Sequence, residues 1–223
     1  MAQLKSNFKN MVLSLSLISA FAAVTLASVY SVTKEPIETS KIKRQQEAIY
    51  EVLPPDVQLE NEPERVGLES GDTLLVYKAN DSNNQFVAAA VETVSHNGYS
   101  GDIRLIVGFD KEGNIINYSV LEQKETPGLG TKVVDWFKTD VNDQSIIGKN
   151  PASNKLTVKK EGGEVDAITA ATISSRAFLE AVNKAYNAYA KNTDATTGAT
   201  TNATTGATTI ESETDNDKKD KDE

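Results

Sequence analysis

The sequence has no cysteine and a single histidine, His96, among 223 residues. Without cysteine there can be no disulfide, no CxxC redox pair and no iron–sulfur cluster, and one histidine does not make a Cys/His zinc site. Haem has little support, since only Met1 and Met11 join His96 among the His, Met and Cys ligand types. If the chain handles electrons, it must therefore do so with an organic cofactor. His96 precedes Asn97-Gly98 in an expected loop and reads as a surface or structural residue. Positive charge is also scarce: 23 Lys and Arg face 32 Asp and Glu, for a net charge of −9. Nucleic-acid affinity comes mainly from neutralising phosphates, so this balance argues against such a partner. Much of the acidity is local, because Asp194 to Glu223 holds eight acids and three lysines, five of the nine net charges.

Charge is missing altogether from the 24 residues between Lys9 and Lys34, NMVLSLSLISAFAAVTLASVYSVT. A helix crossing a bilayer needs about 20 such residues. Lys5 and Lys9 just before it orient the short N-terminus towards the cytoplasm and the rest of the chain outside. A cleaved signal peptide is the alternative, because Ala20-Phe21-Ala22 has the small-x-small form of a cleavage site. The apolar run continues past it to Val32, which suits a retained anchor. The expected organisation is a cytoplasmic N-terminus over 1–9, a transmembrane anchor over 10–33, an extracytoplasmic domain over 34–191 and a low-complexity tail over 192–223. The localisation that follows is single-pass in a membrane, with the folded part on the extracytoplasmic side.

Within the domain, Ile42, Ile49, Val52 and Leu53 follow helical spacing up to Pro54-Pro55, which predicts an amphipathic helix over 37–53. LLVYKA and FVAAAVETV, separated by a polar turn over 80–84, predict one hairpin. Ile103, Leu105, Val107 and Phe109 alternate, Asp110 to Gly113 supplies turn chemistry, and Ile116, Tyr118 and Val120 alternate on the return, giving a second hairpin with one core face. A short strand over 156–159 and a helix over 174–190 complete an α+β domain of antiparallel hairpins and flanking helices. Trp136-Phe137 reads as packing. The tail, with its near-repeat DATTGATT and NATTGATT, has little to bury against an ordering cost of about 1–2 kcal/mol per residue and is expected to be disordered.

Two stretches carry chemistry. In DAITAATISS, residues 166–175, Ser174 can cap the helix that follows, which leaves the Thr172 hydroxyl unused ahead of a helix N-terminus. Free N–H groups there favour a phosphate, so a phosphoester at Thr172 would be well placed. In ETPGLGTK, residues 125–132, Pro127-Gly128 suits the centre of a type II turn.

With the anchor, the GYSGDIRLIVGFDKEGNI stretch, ETPGLG and the threonine motif in order, the chain from its N-terminus to about Lys191 resembles the covalent-flavin G subunits of Rnf-type ion-translocating oxidoreductase complexes. It is similar, too, to the C subunit of the sodium-pumping NADH:quinone reductase. The family signature is Asp-x-x-Ser/Thr-Gly-Ala-Thr, and a flavin transferase joins the phosphate of FMN to its last threonine. The resemblance implies that 34–191 is an FMN-binding domain with covalent FMN on Thr172, and Asp166 and Thr169 in matching places. It further implies flavin contacts from Thr169, Ala170, Ala171, Ile173 and Ser174, and from Glu125, Thr126, Gly128, Leu129 and Gly130. Ala170 stands where the family has glycine, which restricts positive φ and puts the local backbone and recognition by the transferase in question.

The implied role is electron relay between redox subunits of a membrane complex, during ferredoxin/NAD electron transfer coupled to sodium or proton transport. The chain has no nucleotide-binding glycine motif and one span, so it is neither the dehydrogenase nor, alone, the ion path. The alternatives are the flavin subunit of a quinone reductase or other extracytoplasmic electron-transfer chain, and an anchored assembly module without flavin. The tail poses a separate question, since Asp194 to Thr200 meets the attachment pattern literally and Asn202 to Thr208 nearly so. A flavin at Thr200 or Thr208 would have no walls around its ring, which favours Thr172.

Overall fold

A computed structural model describes residues 7–197. Helix α1, Phe8–Glu51, opens the chain; strands β1 (Gln58–Leu59), β2 (Glu64–Gly67), β3 (Thr73–Asn80), β4 (Phe86–Ser95), β5 (Ile103–Asp110) and β6 (Ile115–Glu122) follow, and helix α2, Thr172–Thr197, closes it. The α+β class expected from the sequence is what the fold displays. All six strands form one antiparallel sheet, with β1 and β2 both on β3 and the order running β3-β4-β5-β6.

Both expected hairpins are present, but the sheet has two buried faces rather than one. One face packs on α2, through Val91, Leu105, Val107, Phe109, Tyr118 and Val120 against Phe178, Val182, Ala185 and Tyr189. The other takes the end of α1, with Ala48, Ile49, Val52 and Leu53 on Ala79, Ala88, Ala90 and Ile106. Two-sided burial explains why β4 reads as a nearly continuous apolar run. Ile116 departs from the expected alternation. The register slips between Gly108↔Asn117 and Phe109↔Ile115, so Ile115 takes the core place and Ile116 packs on the α1 side.

Three other expectations are corrected. The anchor and the amphipathic helix are one element, 44 residues or about 66 Å of rod, which runs through Pro36. Proline cannot donate to the carbonyl four residues back, but Val32 lies where the apolar run meets water that can take the bond. The strand over 156–159 is only a parallel bridge, Val158↔Val165, followed by a 3₁₀ turn, Lys159–Glu161. Helix α2 starts at Thr172, two residues early, and runs past Lys191 to Thr197, so Asn192, given to the tail, is buried. Thr200 and Thr208, with the rest of the tail from 198 on, lie outside the described residues.

The apolar part of α1 is exposed along its length, as a membrane span is without its membrane. Its other end is held to the sheet by polar contacts as well as packing. Gln45 donates to Glu92 and to Tyr77 at 3.1 Å, Arg44 donates to the Val120 carbonyl at 3.1 Å, and Ser119 donates to Glu51 at 2.8 Å. Backbone contact is closest at Gly108, where a Cβ would stand 1.9 Å from the Val52 carbonyl oxygen. Gly108→Ala must push the end of α1 off the sheet. A loss of about 1–3 kcal/mol, the usual cost of overpacking, is expected in denaturant unfolding of the detergent-solubilised chain.

Candidate functional site

A long connection over 123–171 joins β6 to α2, and it brings the two sequence motifs together. ETPGLG folds as expected: the Leu129 amide donates to the Thr126 carbonyl at 3.1 Å, and Gly128 sits at φ 74°. That is a type II turn with Pro127 and Gly128 at its centre, and positive φ there is the reason for glycine. The Gly128 amide donates to Thr131 Oγ1 at 3.0 Å and the Thr131 amide to the Thr126 carbonyl at 3.3 Å, so the loop is closed on itself. Beyond it Tyr118 donates to the Val133 carbonyl at 2.9 Å, and burial pushes that phenol's pKa well up. Phe137 stacks on Phe178 with centroids 4.4 Å apart, while Trp136 donates from Nε1 to the Asp166 carbonyl at 2.9 Å. The aromatic pair thus packs, as its sequence suggests, and one member also holds the threonine motif.

The threonine motif enters α2 by a second tight turn. The Ala171 amide donates to the Ile168 carbonyl at 3.0 Å, with Ala170 at φ 62°. Ala170 therefore adopts the left-handed conformation that suits glycine. Ser175, not Ser174, secures the helix entry, accepting from the Ile168 amide at 2.9 Å and donating to the Ala171 carbonyl at 3.0 Å. Ser174 is turned inward, where its hydroxyl donates to Glu125. The amides of Thr172, Ile173 and Ser174 have no acceptor among the described residues. Neither does the half-buried Thr172 hydroxyl make a hydrogen bond there.

Between the two turns lies a cavity of about 480 Å³, lined by Tyr99, Thr126, Leu129, Gly130, Ala170, Ala171, Thr172, Ile173 and Ser174. That volume is in the range of small-molecule sites, roughly 300–1,000 Å³. Eight of the eleven residues expected from the sequence thus line one space. Thr169 and Gly128 are exposed beside it. Glu125 is buried beneath it, its Oε1 accepting from the Ser100 amide at 3.0 Å and its Oε2 from Ser174. Tyr99, within the matching stretch but not singled out from the sequence, is an exposed aromatic on the rim. His96 stays on the surface against Asp102 at 2.9 Å, and no metal-binding cluster occurs among the described residues.

The chemistry of this lining suits a flavin mononucleotide. Unpaired N–H groups at a helix start, with the Thr172 hydroxyl, suit a phosphate. Leu129, Ile173 and Tyr99 offer apolar surface to a ring. A family model described as an FMN-binding domain matches residues 98–187. A Salmonella typhi protein, named as the G subunit of an ion-translocating oxidoreductase complex, is 35% identical over 192 residues, 82% of this chain and 91% of its own length. One of the same name from Shewanella amazonensis is 33% identical over 75% of this chain and 83% of its own. An Acetobacterium woodii protein, named as the G subunit of a Na(+)-translocating ferredoxin:NAD(+) oxidoreductase complex, is 33% identical over 79% of this chain and 89% of its own.

Asp166, at the head of the motif, is held away from the cavity. Lys159 bridges it at 3.0 Å and Asp143 at 2.6 Å. Hydrogen bonding to Lys159 lowers the Asp143 pKa from its ordinary 3.8, and the bonds to Asp143 and Asp166 raise that of Lys159 from 10.5. The Asp143 contribution to stability is therefore fully present above 3.8 and lost as pH falls through its lowered value; that of Lys159 is lost only as pH rises through its raised one. Urea midpoints measured against pH should show that acid limb weakened in Asp143→Asn. At Ala170, relief of the left-handed strain predicts that Ala170→Gly stabilises the protein by about 1 kcal/mol, read from the same urea curves.

Proposed function

The chain belongs to the G-subunit family of ion-translocating oxidoreductase complexes, and from that premise we infer that it carries FMN covalently on Thr172 and relays electrons at the outer face of a membrane complex. As a member it is an FMN-binding, electron-transfer subunit of a redox-driven translocase, anchored by one apolar N-terminal helix and accompanied by the other subunits of that complex. The observation that carries the attachment is the Thr172 hydroxyl, unpaired among the described residues, in the first turn of α2 and on the wall of the cavity that ETPGLG completes. A phosphate there meets three free amides, and a flavin transferase would make the phosphoester during maturation from a flavin dinucleotide: Oγ1 bonds to the flavin-side phosphorus, the phosphoanhydride bond breaks, the nucleoside monophosphate leaves and the hydroxyl proton passes to a base or water.

When bound, FMN supplies electron transfer in one- or two-electron steps. The chain's own residues do the rest. Thr172 and the α2 amides fix the phosphate end, Leu129, Ile173 and Tyr99 wall the ring, and the self-bonded ETPGLG loop keeps its side from shifting. Thr169 and Gly128, exposed at its edge, are proposed as outer contacts. The donor and acceptor couple is the one in the Acetobacterium woodii relative's name, ferredoxin and NAD, with sodium or proton transport driven by other subunits. Lys9 before the span and the whole folded part after it support the orientation, a cytoplasmic 1–9, a span within 10–33 and the domain from 34 onward facing the periplasm. The names of the relatives favour this complex over a quinone reductase.

Denaturing-gel fluorescence of protein co-produced with a flavin transferase tests the reading. The wild type should give a fluorescent band, with flavin mapped by peptide mass spectrometry to Thr172, and Thr172→Ala should give none. A dark wild-type band would leave the assembly-module reading in its place. Flavin retained by Thr172→Ala on a tail peptide containing Thr200 or Thr208 would move the attachment there.

A further inference from the structure

Three segments far apart in sequence form the walls of the cavity: the turn over 98–101 that presents Tyr99, the ETPGLG loop, and the first turn of α2. One side chain touches all three. Glu125 belongs to the loop, is 4% exposed, and accepts from the Ser100 amide through Oε1 and from the Ser174 hydroxyl through Oε2. Its own amide is held by Gln123 Oε1 at 2.7 Å. It makes no ion pair among the described residues, so its partners are N–H and O–H donors alone. A buried carboxylate with both oxygens so used gives up much hydration and keeps its place only while both partners hold theirs.

The space around that carboxylate is shaped for close approach. A Cβ at Gly98 would stand 2.8 Å from Glu125 Oε1 and 2.1 Å from the Gly101 carbonyl oxygen. One at Gly130 would stand 2.8 Å from Glu125 Oε2 and 2.5 Å from Ser174 Oγ. The glycines flank the two hydrogen bonds, one on each side, and let the 98–101 turn and α2 come within reach of a single side chain.

We propose that Glu125 is the positioning residue of the flavin site, a group that touches no flavin but sets the separation of the Tyr99 turn, the ETPGLG loop and the start of α2. The role rests on the FMN reading above. It acts on the ring through Tyr99 and Leu129, whose placement depends on segments that Glu125 ties together, and so through the surroundings that tune a flavin's potential. Reach decides which substitutions succeed. Glutamine keeps the length, with an oxygen for the Ser100 amide and an amide that can donate to Ser174. Aspartate is one methylene short, and alanine spans nothing.

The test uses the full chain in detergent, co-produced with a flavin transferase, as wild type, Glu125→Ala, Glu125→Asp, Glu125→Gln and Ser174→Ala. Gel fluorescence reports attachment, visible circular dichroism reports how the ring is held, and spectroelectrochemical titration reports the midpoint potential. All five should carry covalent FMN, because Thr172 is intact. Glu125→Ala and Glu125→Asp should lose the flavin's visible dichroism and shift the potential towards that of free FMN, Ser174→Ala should lie between, and Glu125→Gln should match the wild type. Unchanged dichroism and potential in flavinylated Glu125→Ala would overturn the role. If the alanine protein does not fold, the remaining pair decides: Glu125→Gln behaving like Glu125→Asp overturns it as well. A wild type without covalent FMN would instead overturn the attachment reading, and the positioning role with it.

Discussion

The hydrogen bond from the Ser174 hydroxyl to the buried Glu125 carboxylate joins two parts of the chain that nothing local would bring together. On one side of it lies a closed loop pinned to the sheet through Tyr118 and Val133; on the other lies the first turn of α2. The sheet makes that meeting possible. The end of α1 fills one face and α2 the other, so the aromatic packing of Tyr118, Phe137 and Phe178 fixes where α2 begins relative to the loop. A cavity whose walls hang on one buried acceptor is defined by distances rather than by bulk, which is why small residues, Gly98, Gly130, Ala170 and Ala171, surround it.

Much of this is legible in the sequence, for physical reasons that differ by element. The hairpins announce themselves because Ile103 to Phe109 must alternate to face a core and because Asp110 to Gly113 can only turn. Strands β1 and β2 are short and largely exposed, so burial leaves almost no pattern to read. Leu156 and Val158 alternate like a strand because both are buried in the core, yet the segment's one bridge is Val158 to Val165 and it pairs with no strand of the sheet. The start of α2 is hard to place because Ser174 has the chemistry of a cap. Its hydroxyl instead serves a carboxylate 49 positions back, a pairing that spacing does not encode. The same limit applies to Glu125, whose identity could be read as a contact but whose burial could not, and to Tyr99, one exposed aromatic among several.

Ala170 stands in a left-handed turn, the conformation that glycine adopts freely, and alanine accepts that φ at a cost of order 1–2 kcal/mol. Such a cost is borne when the surroundings over-determine the turn. Here the Ala171 amide, the Ser175 hydroxyl and the Lys159 bridge to Asp166 all hold it. The strained residue is itself part of the cavity wall, and the turn it makes delivers the small Ala171 and then the Thr172 hydroxyl to the same space.

The proposed phosphoester and the open shape of the cavity belong together. Three amides and a few exposed apolar side chains, Leu129, Ile173 and Tyr99, would hold a free flavin mononucleotide weakly, because they offer its ring little apolar surface. Attachment at Thr172 would make contact between ring and walls intramolecular. A short flexible tether gives an effective concentration in the millimolar range, enough for weak walls to stay occupied. The walls are then free to serve electron transfer, which needs an accessible ring edge, instead of retention, which needs enclosure. Enclosure would also hinder another subunit's approach. The proposed tether and the open rim would thus resolve the same conflict: a cofactor that must be reached by another subunit and must not be lost.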